Sequence, residues 1–122
     1  MHWAGRRGNL LEREIGNWPG MEGDAMGRKT YWVYVMTNPT HTALYTGVTS
    51  NLPRRVWQHR MGSAGGFTAK YHACLLVYFK EVDDAMSAIT REKQLKAGSR
   101  QRKLALINSR NPAWRDLYED IR

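Results

Sequence analysis

Between Tyr31 and His59 the chain reads YWVYVMTNPTHTALYTGVTSNLPRRVWQH, and this stretch leaves few folds open. YWVYVM is β-branched and aromatic, the composition of a strand. TNPTHT supplies turn residues and ALYTGV is a second short strand, so the two form an antiparallel hairpin. Asn51 then offers a side-chain acceptor to the free N–H groups that open a helix. Pro53 fits a first helical turn, which makes LPRRVWQHRM helical. This strand–strand–helix seed carries polar cargo: Tyr34 and Tyr45 on the strands, Arg55 and His59 one turn apart on the helix.

The remainder completes a small α/β domain. After GSAGG, a break read as a hinge, FTAKY makes a short turn or helix bearing Lys70. ACLLVYF is a continuous apolar run and reads as a third strand covered by helices. Asp83 or Asp84 caps a helix over DAMSAITREKQLKA that stops at Gly98. Ser99 caps RQRKLALIN, with Leu104, Leu106 and Ile107 expected inside. NPAWRDLY is expected to be a last short helix, capped by Asn111 and pinned by Trp114 and Tyr118. The fold class is therefore α/β, a small three-stranded antiparallel sheet flanked by helices. Residues 1–29 hold six glycines and no sustained apolar period, and read as a loosely ordered extension. The domain proper spans residues 30–122.

Charge narrows the function. Lys and Arg total 19 against 11 Asp and Glu, a net charge of +8. That excess predicts an anionic partner, with nucleic acid ahead of an acidic membrane surface. No apolar run approaches the ~20 residues that span a bilayer. The N-terminus lacks the apolar core of a signal peptide. A cytoplasmic protein with no membrane partner is expected, and the single Cys74, inside an apolar run, fits a reducing compartment.

The acids are unevenly spread. From residue 25 to residue 80 there is no Asp or Glu, which excludes paired-carboxylate chemistry built on the hairpin and first helix. From Thr90 to Arg115, by contrast, Arg91, Lys93, Lys96, Arg100, Arg102, Lys103, Arg110 and Arg115 face one acid, Glu92. A solvated helix face accounts for Arg110 or Arg115 taken singly. As a block, the bias reads as a surface that tracks phosphates. Candidate nucleic-acid contacts are Gly47, Lys70, Lys93, Lys96, Arg100, Arg102 and Lys103. Gly47 is read as leaving room for a phosphate, or for the helix start, to approach the strand.

Glu92 stands out by position. With Ala85 at zero on a wheel of about 100° per residue, Ala88, Glu92 and Leu95 fall at about 300°, 340° and 280°. The carboxylate thus lies in the apolar stripe, where it needs a cation. One reading is a salt bridge to Lys96 or Arg55. The other is a ligand to a hard divalent ion that also takes waters and substrate phosphate.

Two strand tyrosines, a helix arginine with a histidine four residues on, and a lone glutamate on a later helix resemble the GIY-YIG nuclease family. The half-motifs read Trp32-Val33-Tyr34 and Tyr45-Thr46-Gly47. Asn51-Leu52-Pro53-Arg54-Arg55 and Arg91-Glu92-Lys93-Gln94-Leu95-Lys96 follow in order. The closing NPAWRDLY resembles the small stand-alone bacterial members, so the resemblance runs from Tyr31 to Arg122. It implies a three-stranded antiparallel sheet with flanking helices and hydrolysis of one nucleic-acid strand. It also implies a single divalent metal, Mg²⁺ or Mn²⁺, and no other cofactor. Tyr34 and Tyr45 match the motif tyrosines, Arg55 the catalytic arginine and Glu92 the metal ligand. His59 matches a position that is histidine in some branches and tyrosine in others. Two positions depart: Trp32 stands for the first glycine, and Val48 for a lysine of the excision-repair branch, leaving Lys70 or His59 to fill in.

The implied chemistry suits these residue types. Attack on a phosphodiester builds charge on the non-bridging oxygens, which a guanidinium fork and a metal hold from two sides. A tyrosine becomes a base only when positive charge lowers its pKa from about 10. Tyr34 is favoured as base and Tyr45 as positioning partner, with exchange of the two left open. The expected activity is structure- or damage-selective nicking of DNA. The alternatives are a nucleic-acid-binding module without turnover and activity on RNA.

Overall fold

The computed structural model describes residues 30–63 and 65–121; the N-terminal extension read over residues 1–29 lies outside them. Three strands, β1 (Tyr31–Thr37), β2 (Leu44–Thr49) and β3 (Leu75–Val82), form one antiparallel sheet in the order β2-β1-β3. The expected α/β class and hairpin are present, and β1 is the central strand. Helices α1 (Leu52–Arg60) and α2 (Gly66–Tyr71) separate β2 from β3. After β3 come α3 (Ala85–Ala97), α4 (Arg100–Arg110) and α5 (Tyr118–Ile121). Among the described residues, no helix is long and apolar enough to cross a membrane.

Alternation along the strands divides the core into two layers. Tyr31, Val33 and Val35 face Ala88 and Leu95 of α3 and Ile107 of α4. Tyr34 and Met36 face Leu52 and Val56 of α1, together with Ala73 and Leu76. In β3 the alternation breaks, because a bulge opposite Val35 and Met36 inserts Val77 between Tyr78 and Leu76. Val77 and Tyr78, though consecutive, therefore both join the α3–α4 layer. This is why LLVYF is a continuous apolar run. The bulge is held from outside: buried Asn111 donates from Nδ2 to the Val77 carbonyl at 3.1 Å.

The predicted N-caps of α1, α3 and α4 are in place. Asn51 accepts from the Arg54 N–H at 3.2 Å, Asp84 from Ser87 at 2.8 Å and Ser99 from Arg102 at 3.1 Å. The side chain of Asn38 ties the β1–β2 turn by accepting from the N–H groups of Thr42 and Ala43. Of the apolar residues expected inside α4, Ile107 is buried while Leu104 and Leu106 are half-buried.

The chain end differs from expectation. Residues 111–117 are not helical, and the helix begins only at Tyr118. Asn111 ends α4 instead of starting a helix. Its Oδ1 accepts from the Arg115 N–H and its Nδ2 also donates to the Arg115 carbonyl. Such side-chain bonds give the backbone an alternative to helix. Trp114, at φ 54°, stacks on His41 beside the α3–α4 layer, whereas Tyr118 lies on the other layer under the Arg60 guanidinium. The two aromatics pin the chain end to opposite faces of the sheet. Asp116 completes the attachment through Arg60 at 2.6 Å and the Leu76 N–H at 3.2 Å.

Candidate active site

Strand register sets the site. Tyr34 pairs with Gly47 and Met36 with Tyr45, so Tyr34, Tyr45 and Gly47 share the face under α1. On α1, Leu52, Val56 and His59 are the buried residues. His59 is thereby brought over the strand tyrosines, with ring centroids 5.7 Å from Tyr34 and 5.1 Å from Tyr45. The tyrosine rings themselves are 6.2 Å apart.

A hydrogen-bonded chain runs through this group. The Tyr34 hydroxyl lies 2.8 Å from His59 Nε2, and His59 Nδ1 lies 2.9 Å from the Thr68 hydroxyl. Thr68 in turn donates to the Gly65 carbonyl at 3.2 Å. A threonine hydroxyl has one proton. With that proton directed at Gly65, Thr68 accepts from His59, the arrangement in which the imidazole carries a proton on Nδ1. Nε2 then presents a lone pair to the Tyr34 O–H.

Thr68 was not singled out from the sequence. Its signal is indirect: Gly62, Gly65 and Gly66 all have positive φ, a conformation open to glycine, and they turn α2 back against α1. Thr68 is the buried residue of α2. Lys70, two residues on, is exposed with its ammonium 5.4 Å from the Tyr71 ring. Of the two residues expected to fill in for the missing lysine, the one that touches Tyr34 is His59.

Gly47 has a different purpose from the one expected. A Cβ there would lie 2.6 Å from both Cζ and the hydroxyl oxygen of Tyr34. The space that glycine leaves is filled by the Tyr34 ring, not kept open for a phosphate or for the start of α1. Burial also separates the tyrosines. Tyr34 is fully enclosed, while Tyr45 is half-buried and keeps surface beside Phe67.

The neighbouring arginines of α1 diverge as the helical wheel requires. Arg54 is exposed, whereas Arg55 is half-buried and donates from Nη1 to Gln58 at 3.1 Å. Arg55 and His59 lie one turn apart on the helix that covers the tyrosines.

Glu92 comes from the other layer. It is fully buried on α3 between Ala88 and Leu95, and Lys96 one turn later forms an ion pair with it. Of the two readings of this carboxylate, the structure shows the ion pair. Lys96 therefore faces an acid here, not open solvent. Among the described residues, no three His, Cys, Asp or Glu gather into a metal-binding group. Any metal would rest on one carboxylate with waters and phosphate oxygens, a set that suits Mg²⁺. Glu92 fits that demand as a hard, buried oxygen donor that requires a cation, and the Lys96 ammonium is the cation it meets here.

The remaining basic candidates scatter. Lys93 is exposed on α3. Arg100 donates to the carbonyls of Thr42 at 2.9 Å and His41 at 3.4 Å, bracing the β1–β2 turn. Arg102 and Lys103 line a cleft between α3 and α4.

Comparison with known proteins identifies a family. The family model of the GIY-YIG catalytic domain matches residues 30–105. A UPF0213 protein of Staphylococcus haemolyticus is 32% identical over 80 residues, covering 66% of this chain and 96% of its own length. A UPF0213 protein of Syntrophus aciditrophicus is 37% identical over 82 residues, covering 66% and 92%. The solution NMR structure of the UPF0213 protein BH0048 from Bacillus halodurans superposes with a TM-score of 0.47 at 23% identity, covering 71% of this chain and 92% of that one.

Proposed function

The chain belongs to the GIY-YIG family, with the small UPF0213 proteins among its relatives, and on that premise we propose that it is a metal-dependent endonuclease hydrolysing phosphodiester bonds in DNA. The observation that carries the reading is the buried Tyr34–His59–Thr68 chain beneath half-exposed Tyr45. A histidine between two hydroxyls contributes little to packing that an apolar residue would not supply better. As chemistry it is a proton acceptor within hydrogen-bond reach of the Tyr34 hydroxyl.

The reaction forms a bond from a water oxygen to phosphorus and breaks the bond to one ester oxygen. A proton leaves the water and another reaches the departing alkoxide. On the ground of burial we assign the tyrosine roles in the exchanged order left open from the sequence: Tyr45, with surface to offer, meets the attacking water and the phosphate. Tyr34 lies beneath and directs its O–H to His59 Nε2. Arg55 supplies a planar two-pronged donor for the non-bridging oxygens as their charge grows. Glu92 is the residue that would hold a divalent ion, and such an ion supplies positive charge to the phosphate and makes a bound water more acidic. The net charge of +8 favours the polyanionic substrate.

Purified protein incubated with supercoiled plasmid in Mg²⁺ or Mn²⁺ is expected to yield nicked circles, and none in EDTA. Binding without nicking under every metal condition would leave a binding module. Cleavage of an RNA of the same sequence, with the DNA intact, would move the substrate to RNA.

A further inference from the structure

Helices α3 and α4 meet at Gly98 and Ser99 and splay into an open cleft of about 780 Å³. Its walls include Arg91, Gln94 and Leu95 from α3 and Arg102, Lys103 and Leu106 from α4. Three cations converge there and no carboxylate lines the cleft. Several other basic side chains are engaged: Arg60 with Asp116, Arg115 with Asp120, Lys96 with Glu92 and Arg100 with two carbonyls. The side chains of Arg91, Arg102 and Lys103 form no hydrogen bond or ion pair with any described residue.

From this convergence we propose that the α3–α4 cleft is a second substrate contact, binding the phosphodiester backbone of nucleic acid away from the bond that is cut. The inference rests on the nucleic-acid reading given above and adds to it a place. Gathering like charges at a half-buried position opposes folding unless an anion joins them. Lys103 carries a cost of its own: burial first, and then the repulsion of Arg100 outside the cleft, holds its ammonium below the ordinary lysine pKa. A phosphate in the cleft would offset that penalty by supplying a counter-charge. The apolar floor of Leu95 and Leu106 suits the sugar between phosphates. Because Arg91 is adjacent to Glu92, one helix turns a carboxylate toward the sheet and a cation toward the cleft. A strand lying in the cleft would thus be tethered to the element that carries the candidate metal ligand.

Lys103→Met keeps the apolar stem and removes the charge. Its affinity for a short DNA duplex should fall, and the slope of log affinity against log salt should become shallower by about 0.9, the contribution of one phosphate contact. Adding Arg91→Ala and Arg102→Ala should lower the slope by roughly three such contributions. Without DNA, the Lys103→Met melting temperature should rise, because a charge disfavoured by burial and by Arg100 is gone. An unchanged slope and affinity in the triple variant, while the wild type binds, would overturn the cleft and leave the nuclease reading intact. A wild type that binds no DNA would overturn both. A lower melting temperature in Lys103→Met would make Lys103 a structural residue. Saturation of the cleft by inorganic phosphate at the concentrations at which DNA phosphates bind would assign it to free phosphate instead.

Discussion

The face of the sheet under α1 and the cleft between α3 and α4 treat their polar groups in opposite ways. Under α1, Tyr34, His59 and Thr68 are buried and each is satisfied by the next, ending on a backbone carbonyl. In the cleft, Arg91, Arg102 and Lys103 converge without a described counter-charge. A network that must hold reacting groups in one geometry gains from complete satisfaction, since an unmet buried donor costs about 1–3 kcal/mol and would be relieved by rearranging. A surface that must attract a polyanion gains from the reverse, because a cation already paired has less to offer a phosphate. Glu92 and Lys96 stand between these cases: a satisfied pair whose positive member a metal could replace.

Breaking that intermediate pair should have the largest effect. Glu92→Gln is expected to abolish nicking while leaving DNA binding in place. It should also destabilise the fold, toward the lower end of the ~3–5 kcal/mol that breaking a buried pair costs, since Lys96 retains some exposure. Adding Lys96→Met should restore the melting temperature without restoring nicking. Full nicking by Glu92→Gln would make the pair purely structural.

On the α1 face, Gly47→Ala should come next. The new Cβ would collide with the Tyr34 ring, whose hydroxyl is hydrogen-bonded to His59. Overpacking of this kind costs about 1–3 kcal/mol. Both the melting temperature and the nicking rate should drop, and a silent Gly47→Ala would mean that the position of Tyr34 is not critical.

Thr68 offers a finer test of the satisfied network. Thr68→Val preserves shape but removes the acceptor for the His59 Nδ1 proton, at a cost of about 1–3 kcal/mol. The nicking rate should fall, with its pH profile displaced, because Nδ1 is no longer fixed as the protonated nitrogen. Thr68→Ser should recover both rate and profile. Equal behaviour of Val and Ser would reduce Thr68 to packing.

Much of the α1 face was legible in the sequence because its determinants are local. Asn51 and Pro53 fix where α1 begins, and from that start the helical period separates exposed Arg54 from half-buried Arg55. Alternation on the strands places Tyr34 opposite Gly47 once the hairpin turn is located. What escaped depends on partners distant in sequence. The bulge at Val77 is held by Asn111, 34 residues later. The same asparagine keeps residues 111–117 from continuing as helix, although NPAWRDLY carries good start signals. Thr68 gains its role only because the turn through Gly65 and Gly66 brings it to a histidine nine residues back. The purpose of Gly47 was misread because a glycine advertises space without saying what fills it.

The claim that the α1 face performs the chemistry is tested most directly by Arg55→Ala, measured as the single-turnover nicking rate at saturating protein beside the affinity for the same DNA. The rate should be lower by about 10²-fold or more, the scale of a lost oxyanion contact, with little change in affinity. Arg55→Lys should be nearly as slow, since an ammonium cannot reproduce the planar fork. Arg54→Ala should alter only affinity, modestly and in a salt-dependent way. A full nicking rate at saturation in Arg55→Ala, with the rate lost in Arg54→Ala instead, would contradict both the helix register and the site built upon it.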